Sequence, residues 1–425
     1  MPQNVTTYRG IRYAHAERFA PPRPVAFTGV PEPGGRSVAA PQGPSRIALV
    51  MGTPAPVDQS EDCLEVTVFA PQAEPGRTLP VLVWLHGGAY LTGSGGWNLY
   101  DATDLAATGP MVVVSVNYRL GLLGYASSPG LAPGNLGLAD QIAALAWVQA
   151  NVGAFGGDPS RVTLAGQSAG AQSIIAMLGI ESTRGHFHRA IVQSAPLGLG
   201  FHSARDAARA AEAIAGDGRT DLATCAVEEI LAAQQRSAIA LAGPGMLRAT
   251  PPLQPVWGVD PLPDPASWDR ALAARMREVE LMIGSTADEA ATFLADPHPV
   301  YSRVRRLPLV GTRALDRLQR AMTERVFTRG AADLADRWSR AGGRAHLFRV
   351  GALDAANPFG ACHCIELPLL FGDDAGWRDA PMLRGTAPVR LAEKRASLRS
   401  RWAGFVTDGD PDWDVHVAGR APYEL

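Results

Sequence analysis

The 425-residue chain carries a net charge of −2, with 46% hydrophobic and 19% charged residues. That balance describes a core-forming globular chain and excludes intrinsic disorder. Mixed signs throughout give neither a basic footprint for nucleic acid nor a polybasic patch for anionic lipid, so the expected partner is a small molecule.

The amino-terminal MPQNVTTYRGIRYA has no basic stretch followed by an apolar one, and no run approaches the roughly 18 apolar residues of a membrane helix. A cytoplasmic protein is expected. Cys63, Cys225, Cys362 and Cys364 lack the spacing of a disulfide framework, in keeping with a reducing compartment. Residues 1–75 are rich in proline and glycine, but TTYRGIRYA and CLEVTVFAP read as an antiparallel edge.

LPVLVWLHGG (Leu79 to Gly88) and MVVVSVNYRL (Met111 to Leu120) are continuous apolar runs, the pattern of neighbouring central strands covered on both faces. Leu138, Ile142, Leu145, Val148 and Val152 recur near helical spacing and predict a crossover helix. RAIVQSA, VELMIGS and RAHLFRV supply further strands, alternating with helical sequence at Ala204 to Ala240, Thr312 to Ala341 and Val389 to Val406. The alternation predicts an α/β fold of one domain, a mostly parallel central sheet with helices on both faces. Proline- and glycine-rich sequence around 241–265, together with 296–341, is expected to form a cap-like excursion near a substrate cleft.

RVTLAGQSAG (Arg161 to Gly170) ends an apolar run in a GxSxG pattern. Gly166 and Gly170 give the room for a sharp strand-to-helix turn that lifts the Ser168 hydroxyl clear of the sheet. A serine hydroxyl is a weak nucleophile until a base accepts its proton and an acid orients that base. His363, in GACHCIELPLLFG soon after the RAHLFRV strand, is the best-placed base. Asp288 and Glu289 both follow the carboxyl end of VELMIGS, where open α/β sheets place their sites, and this pattern leaves either as the acid. HGGAY (His86 to Tyr90) supplies a glycine turn whose backbone amides, with that of Ala169, can face a developing oxyanion. Cys362, His363 and Cys364 lack the further ligands of a closed zinc site, so no metal is expected, and attack by an activated serine needs no cofactor.

With these residues assembled, the chain resembles the type-B carboxylesterases, which include cholinesterases and bacterial para-nitrobenzyl esterases. SEDCLEVTV, NYRLGLLGY, GNLGLADQIAALAWVQANVGAFGGDPSRVTLAGQSAG and GACHCIELPLLFG carry the likeness almost end to end. The resemblance implies an α/β-hydrolase fold and a serine hydrolase of small-molecule carboxylic esters. Acyl transfer and amide or carbamate hydrolysis are the alternatives, and a non-catalytic binding homologue is a remoter one. It further implies Ser168 as nucleophile, His363 as general base and acid, and Glu289 as orienting acid. The oxyanion hole it implies is Gly88, Ala89 and Ala169, with Gly87 in support. Two structural ion pairs are also implied, Glu61 with Arg18 and Arg119 with Asp158. The chain departs from the family at Ala89, where a third glycine is usual, at Ala290, and at Cys63, expected to be a free thiol.

Overall fold

Strand-forming and helix-forming stretches alternate through most of the chain, and the computed structural model folds them around a central nine-stranded sheet, with two small two-stranded sheets beside it. It describes residues 4–72, 74–215, 221–241, 251–294 and 310–425. The sheet strands are β1 (Val5–Arg12), β2 (Glu65–Pro71), β3 (Leu79–Leu85), β4 (Val112–Val116), β5 (Gly157–Gln167), β6 (Arg189–Gln193), β7 (Glu280–Thr286), β8 (Ala345–Val350) and β9 (Tyr423–Glu424). Their spatial order is β1-β2-β4-β3-β5-β6-β7-β8-β9.

The β1–β2 and β2–β4 pairs are antiparallel, and every later pair is parallel. The two runs expected to be neighbours do pair, Val81 opposite Val112 and Leu85 opposite Val116. Both faces of the central strands are buried. Val81, Val83, Leu85, Val112, Val114 and Val116 point into one apolar core, while Leu82, Trp84 and Val113 point into the other. A side-chain period of two, with no polar face, is what converts a continuous apolar run into a central strand.

Helix α1 (Leu136–Asn151) is the crossover into β5, and α2 (Ala169–Leu178) leaves β5 with every residue buried. Residues Val310–Thr323 and α3 (Arg329–Arg340) lie either side of a short π-helical turn, Glu324–Thr328, and α4 (Pro388–Asp408) closes the fold. The excursion expected at 241–265 and 296–341 falls partly on 242–250 and 295–309, which lie outside the described residues.

Candidate active site

The carboxyl ends of β3, β5, β7 and β8 open on the same side of the sheet because all four run parallel. A parallel sheet gathers its chemistry at that edge.

Ser168 directly follows β5, with φ 55° and ψ −118°, and α2 starts at the next residue. Such a backbone is costly for a residue with a Cβ, so its presence at a strand-to-helix turn marks a constrained site. The flanking glycines are required sterically. A Cβ on Gly170 would stand 2.1 Å from the Leu85 carbonyl oxygen, and one on Gly166 2.8 Å from the Gly170 carbonyl carbon.

The turn after β3 approaches from the neighbouring strand. A Cβ on Gly87 would lie 2.4 Å from Gln167 Oε1 and 3.1 Å from Ser168 Cβ, so only glycine fits. Gly88 has φ 122°, and Ala89 and Tyr90 follow with φ 55° and 61°. The Leu91 and Thr92 amides donate to the Gly88 carbonyl at 3.0 and 3.1 Å and close the turn. Among the described residues, the amides of Gly88, Ala89 and Ala169 donate to no acceptor. The loop is braced from beneath. His86 stacks on Tyr118 at 4.4 Å, and Tyr118 donates to the His86 carbonyl at 2.7 Å. Burial lowers the His86 imidazole to about 4, so it stays neutral while it does this.

Glu289 and His363 are both almost wholly buried, and the Glu289 carboxylate is hydrogen-bonded to His363 Nδ1. The other Glu289 oxygen accepts the Thr286 amide at 2.8 Å, which fixes the carboxylate against the end of β7. Asp288 takes no part in this pair. Its carboxylate accepts the Ala361 amide at 3.0 Å and the Gln319 amide at 3.4 Å, tying down the loop that carries His363.

With Nδ1 held by a carboxylate, Nε2 is the ring nitrogen left to face the site. It lies 3.1 Å from Gln167 Nε2, and the same amide reaches Cys364 Sγ at 3.3 Å. No hydrogen bond joins Ser168 to His363 in this structure; the residue before the serine holds that nitrogen instead. The sequence carried no signal for that contact beyond the adjacency of Gln167 to Ser168.

Of the two expected ion pairs, one is present. Arg18 clasps Glu61 with two hydrogen bonds, one of them 2.9 Å from Nε, and donates to the Cys225 carbonyl at 2.6 Å and the Leu222 carbonyl at 3.2 Å. The other expectation is corrected: Arg119 pairs with Asp140, not Asp158. Asp140 accepts from Arg119 Nε at 2.8 Å, Nη2 at 2.7 Å and the Arg119 amide at 3.1 Å. Asp158 instead binds Arg161 at 2.9 Å. The reason is topological. Asp158 lies at the entry of the 11-residue β5, about 30 Å at ~3.3 Å per residue from its exit, whereas Arg119 follows the exit of the parallel β4.

Among the described residues, no group of three or more His, Cys, Asp or Glu side chains is placed to hold a metal ion. Nor is any described helix long and apolar enough to cross a membrane.

The sheet order, the strained serine turn and the acid and histidine after successive later strands define an α/β-hydrolase fold. Residues 1–306 match the model of the carboxylesterase family. The chain is 51% identical to the protein named Probable N-octanoylanthranilate hydrolase of Rhodococcus erythropolis, covering 97% of this chain and 92% of that one. It is 33% identical to the para-nitrobenzyl esterase of Bacillus subtilis, covering 97% and 88%. A solved thermophilic para-nitrobenzyl esterase superposes with a TM-score of 0.82 at 30% identity, covering 97% of this chain and 90% of that one. The chain therefore belongs to the carboxylesterase family and is a hydrolase of that class.

Proposed function

We propose that the protein hydrolyses small-molecule carboxylic esters through an acyl-enzyme on Ser168. His363 Nε2 takes the hydroxyl proton as Ser168 Oγ attacks the carbonyl carbon, and gives that proton to the departing alcohol oxygen. Water then attacks the acyl carbon, loses a proton to the same nitrogen, and the acid leaves with Ser168 restored. Glu289 holds the imidazole and stabilises its charged form. The amides of Gly88, Ala89 and Ala169 receive the oxyanion. Productive binding requires His363 Nε2 to exchange Gln167 for Ser168, a tightening common when substrate fills a site.

The observation that carries this reading is the buried Glu289–His363 hydrogen bond at the same sheet edge as the strained Ser168 turn. The test is incubation with a serine-directed organophosphonate and para-nitrophenyl esters, in wild type and Ser168→Ala. A single adduct on Ser168, with turnover lost by a factor on the order of 10⁴ or more in the variant, is expected. Turnover persisting in the variant would refute the assignment.

A second reading, amide hydrolysis by the same groups, is favoured by the relative named for an N-acyl anthranilate. It requires His363 to protonate a leaving nitrogen. Presenting one acyl group as its phenyl ester and as its anilide, and comparing kcat/KM, separates the two readings. The chain is read as a single domain; of the excursion expected around 241–265 and 296–341, the described helix Arg329–Arg340 packs Ala335 and Trp338 into the apolar core against β7 and β8, and so does not belong to a rim.

A further inference from the structure

Two phenyl rings flank His363. The Phe293 centroid lies 5.4 Å from the imidazole and that of Phe327 5.2 Å. The phenyl rings stack on each other, 6.2 Å apart with planes 8° from parallel. They differ in exposure: Phe327 is 4% exposed, while Phe293 is 41% exposed and is the one phenylalanine among the large exposed apolar side chains of the described residues.

Their backbone origins are unusual. Phe293 sits in the short helix Ala291–Leu294, four residues past Glu289, so it is carried by the segment that carries the acid. Phe327 comes from the π-helical turn Glu324–Thr328. Such turns are rare and recur at functional sites.

Proton delivery fixes what this wall can touch. In the reaction proposed above, the leaving atom must come within about 3 Å of His363 Nε2 to receive its proton. The acyl carbon is then bonded to Ser168, and its oxygen faces the amides of Gly88, Ala89 and Ala169. Of the substituents on the reacting carbonyl, the one bonded to the leaving atom is brought nearest the imidazole and its two phenyl neighbours. A flat ring there can cover the open face of Phe293, whereas an alkyl group gains only area.

We infer that Phe293, braced by Phe327, is the wall of the leaving-group site, and that the preferred substrates carry an aryl group on the leaving oxygen or nitrogen. The inference rests on the acyl-enzyme reading of Ser168. It makes Phe293 a specificity-determining residue that touches the departing half of the substrate.

The test uses hexanoate esters of phenols and of alkyl alcohols matched in acidity, with kcat/KM and the pre-steady-state burst measured for wild type, Phe293→Ala and Phe293→Tyr. Because Phe293 is exposed, these variants are expected to fold, and thermal unfolding checks this. The aryl-to-alkyl ratio of kcat/KM is expected to fall about threefold to tenfold in Phe293→Ala, the size of one aromatic contact, and to be restored in Phe293→Tyr. Equal losses in both series, or a change in acyl-length preference with the ratio unmoved, would overturn the inference. A wild type with neither burst nor adduct on Ser168 would instead refute the acyl-enzyme reading, so the two failures are distinguishable.

Discussion

Glu366→Gln replaces a buried carboxyl with a group of the same shape that cannot ionise. Glu366 is 1% exposed; one oxygen meets the Gln193 amide at 3.4 Å and the other has no partner. Burial, and after it the charge of Glu289, raises the carboxyl from 4.5 to about 7. A value higher in the folded than in the unfolded chain means that the folded state binds the proton more tightly. The stability this contributes is fully present below the unfolded value near 4.5 and is lost as the pH rises through about 7. The gap between 4.5 and about 7 corresponds to about 3 kcal/mol. Glutamine has no such loss, so the variant should exceed wild type by about 3 kcal/mol above pH ~8, with the gap shrinking towards pH ~5. For 425 residues the unfolding entropy is about 0.9 kcal/mol per degree, which turns that gap into about 3 °C in Tm. Thermal unfolding of both proteins in buffers from acid to alkaline pH reads it directly. A Tm difference that stays constant with pH, or that narrows as pH rises, would refute the reasoning.

Arg119→Leu leaves the fully buried Asp140 without its partner and should cost about 3–5 kcal/mol, whereas Asp158→Asn, beside a half-exposed Arg161, should cost at most about 1 kcal/mol. Thermal unfolding of the two variants checks the corrected pairing, and equal losses would restore the rejected one. Glu289→Gln should lower kcat/KM by a factor on the order of 10³–10⁴ by losing the charge on His363 Nδ1. Asp288→Asn weakens only hydrogen bonds that tie the loop and should lose less than about tenfold in the same steady-state assay. Ala89→Gly removes an exposed methyl and a left-handed alanine, so the kcat/KM ratio of branched to acetyl esters should rise by about tenfold. A ratio that falls would show that the methyl does not limit the acyl group.

Much of this architecture is legible in the chain because buried parallel strands leave an unbroken apolar signature. Leu79–Leu85 and Val112–Val116 can be read as neighbours from composition alone, and the glycines around Ser168 announce their turn because no other residue fits. Arg18 and Glu61 were recoverable as a pair through resemblance, and the structure joins them. Arg119 was misassigned because pairing depends on strand direction, which places Asp158 at the wrong end of β5. Asp140 sits amid the apolar residues of α1, where a lone carboxylate was the available signal. Gln167, Glu366 and Phe327 were invisible as site neighbours, since their contacts depend on a side-chain rotation, an unpartnered buried oxygen and a π-helical turn.

The Arg18 clasp also lies beside the place where a spectroscopic probe would attach. Cys63, Cys362 and Cys364 are buried, and burial raises the Cys362 thiol to about 12, so these three resist alkylation. Cys225 alone is partly exposed, and its carbonyl accepts the Arg18 guanidinium that grips Glu61. A maleimide dye would therefore attach at one position without any engineered cysteine, beside the tie between the amino-terminal segment and the turn that precedes the helix Val227–Leu241. Its emission during turnover would record whether that tie loosens when substrate enters.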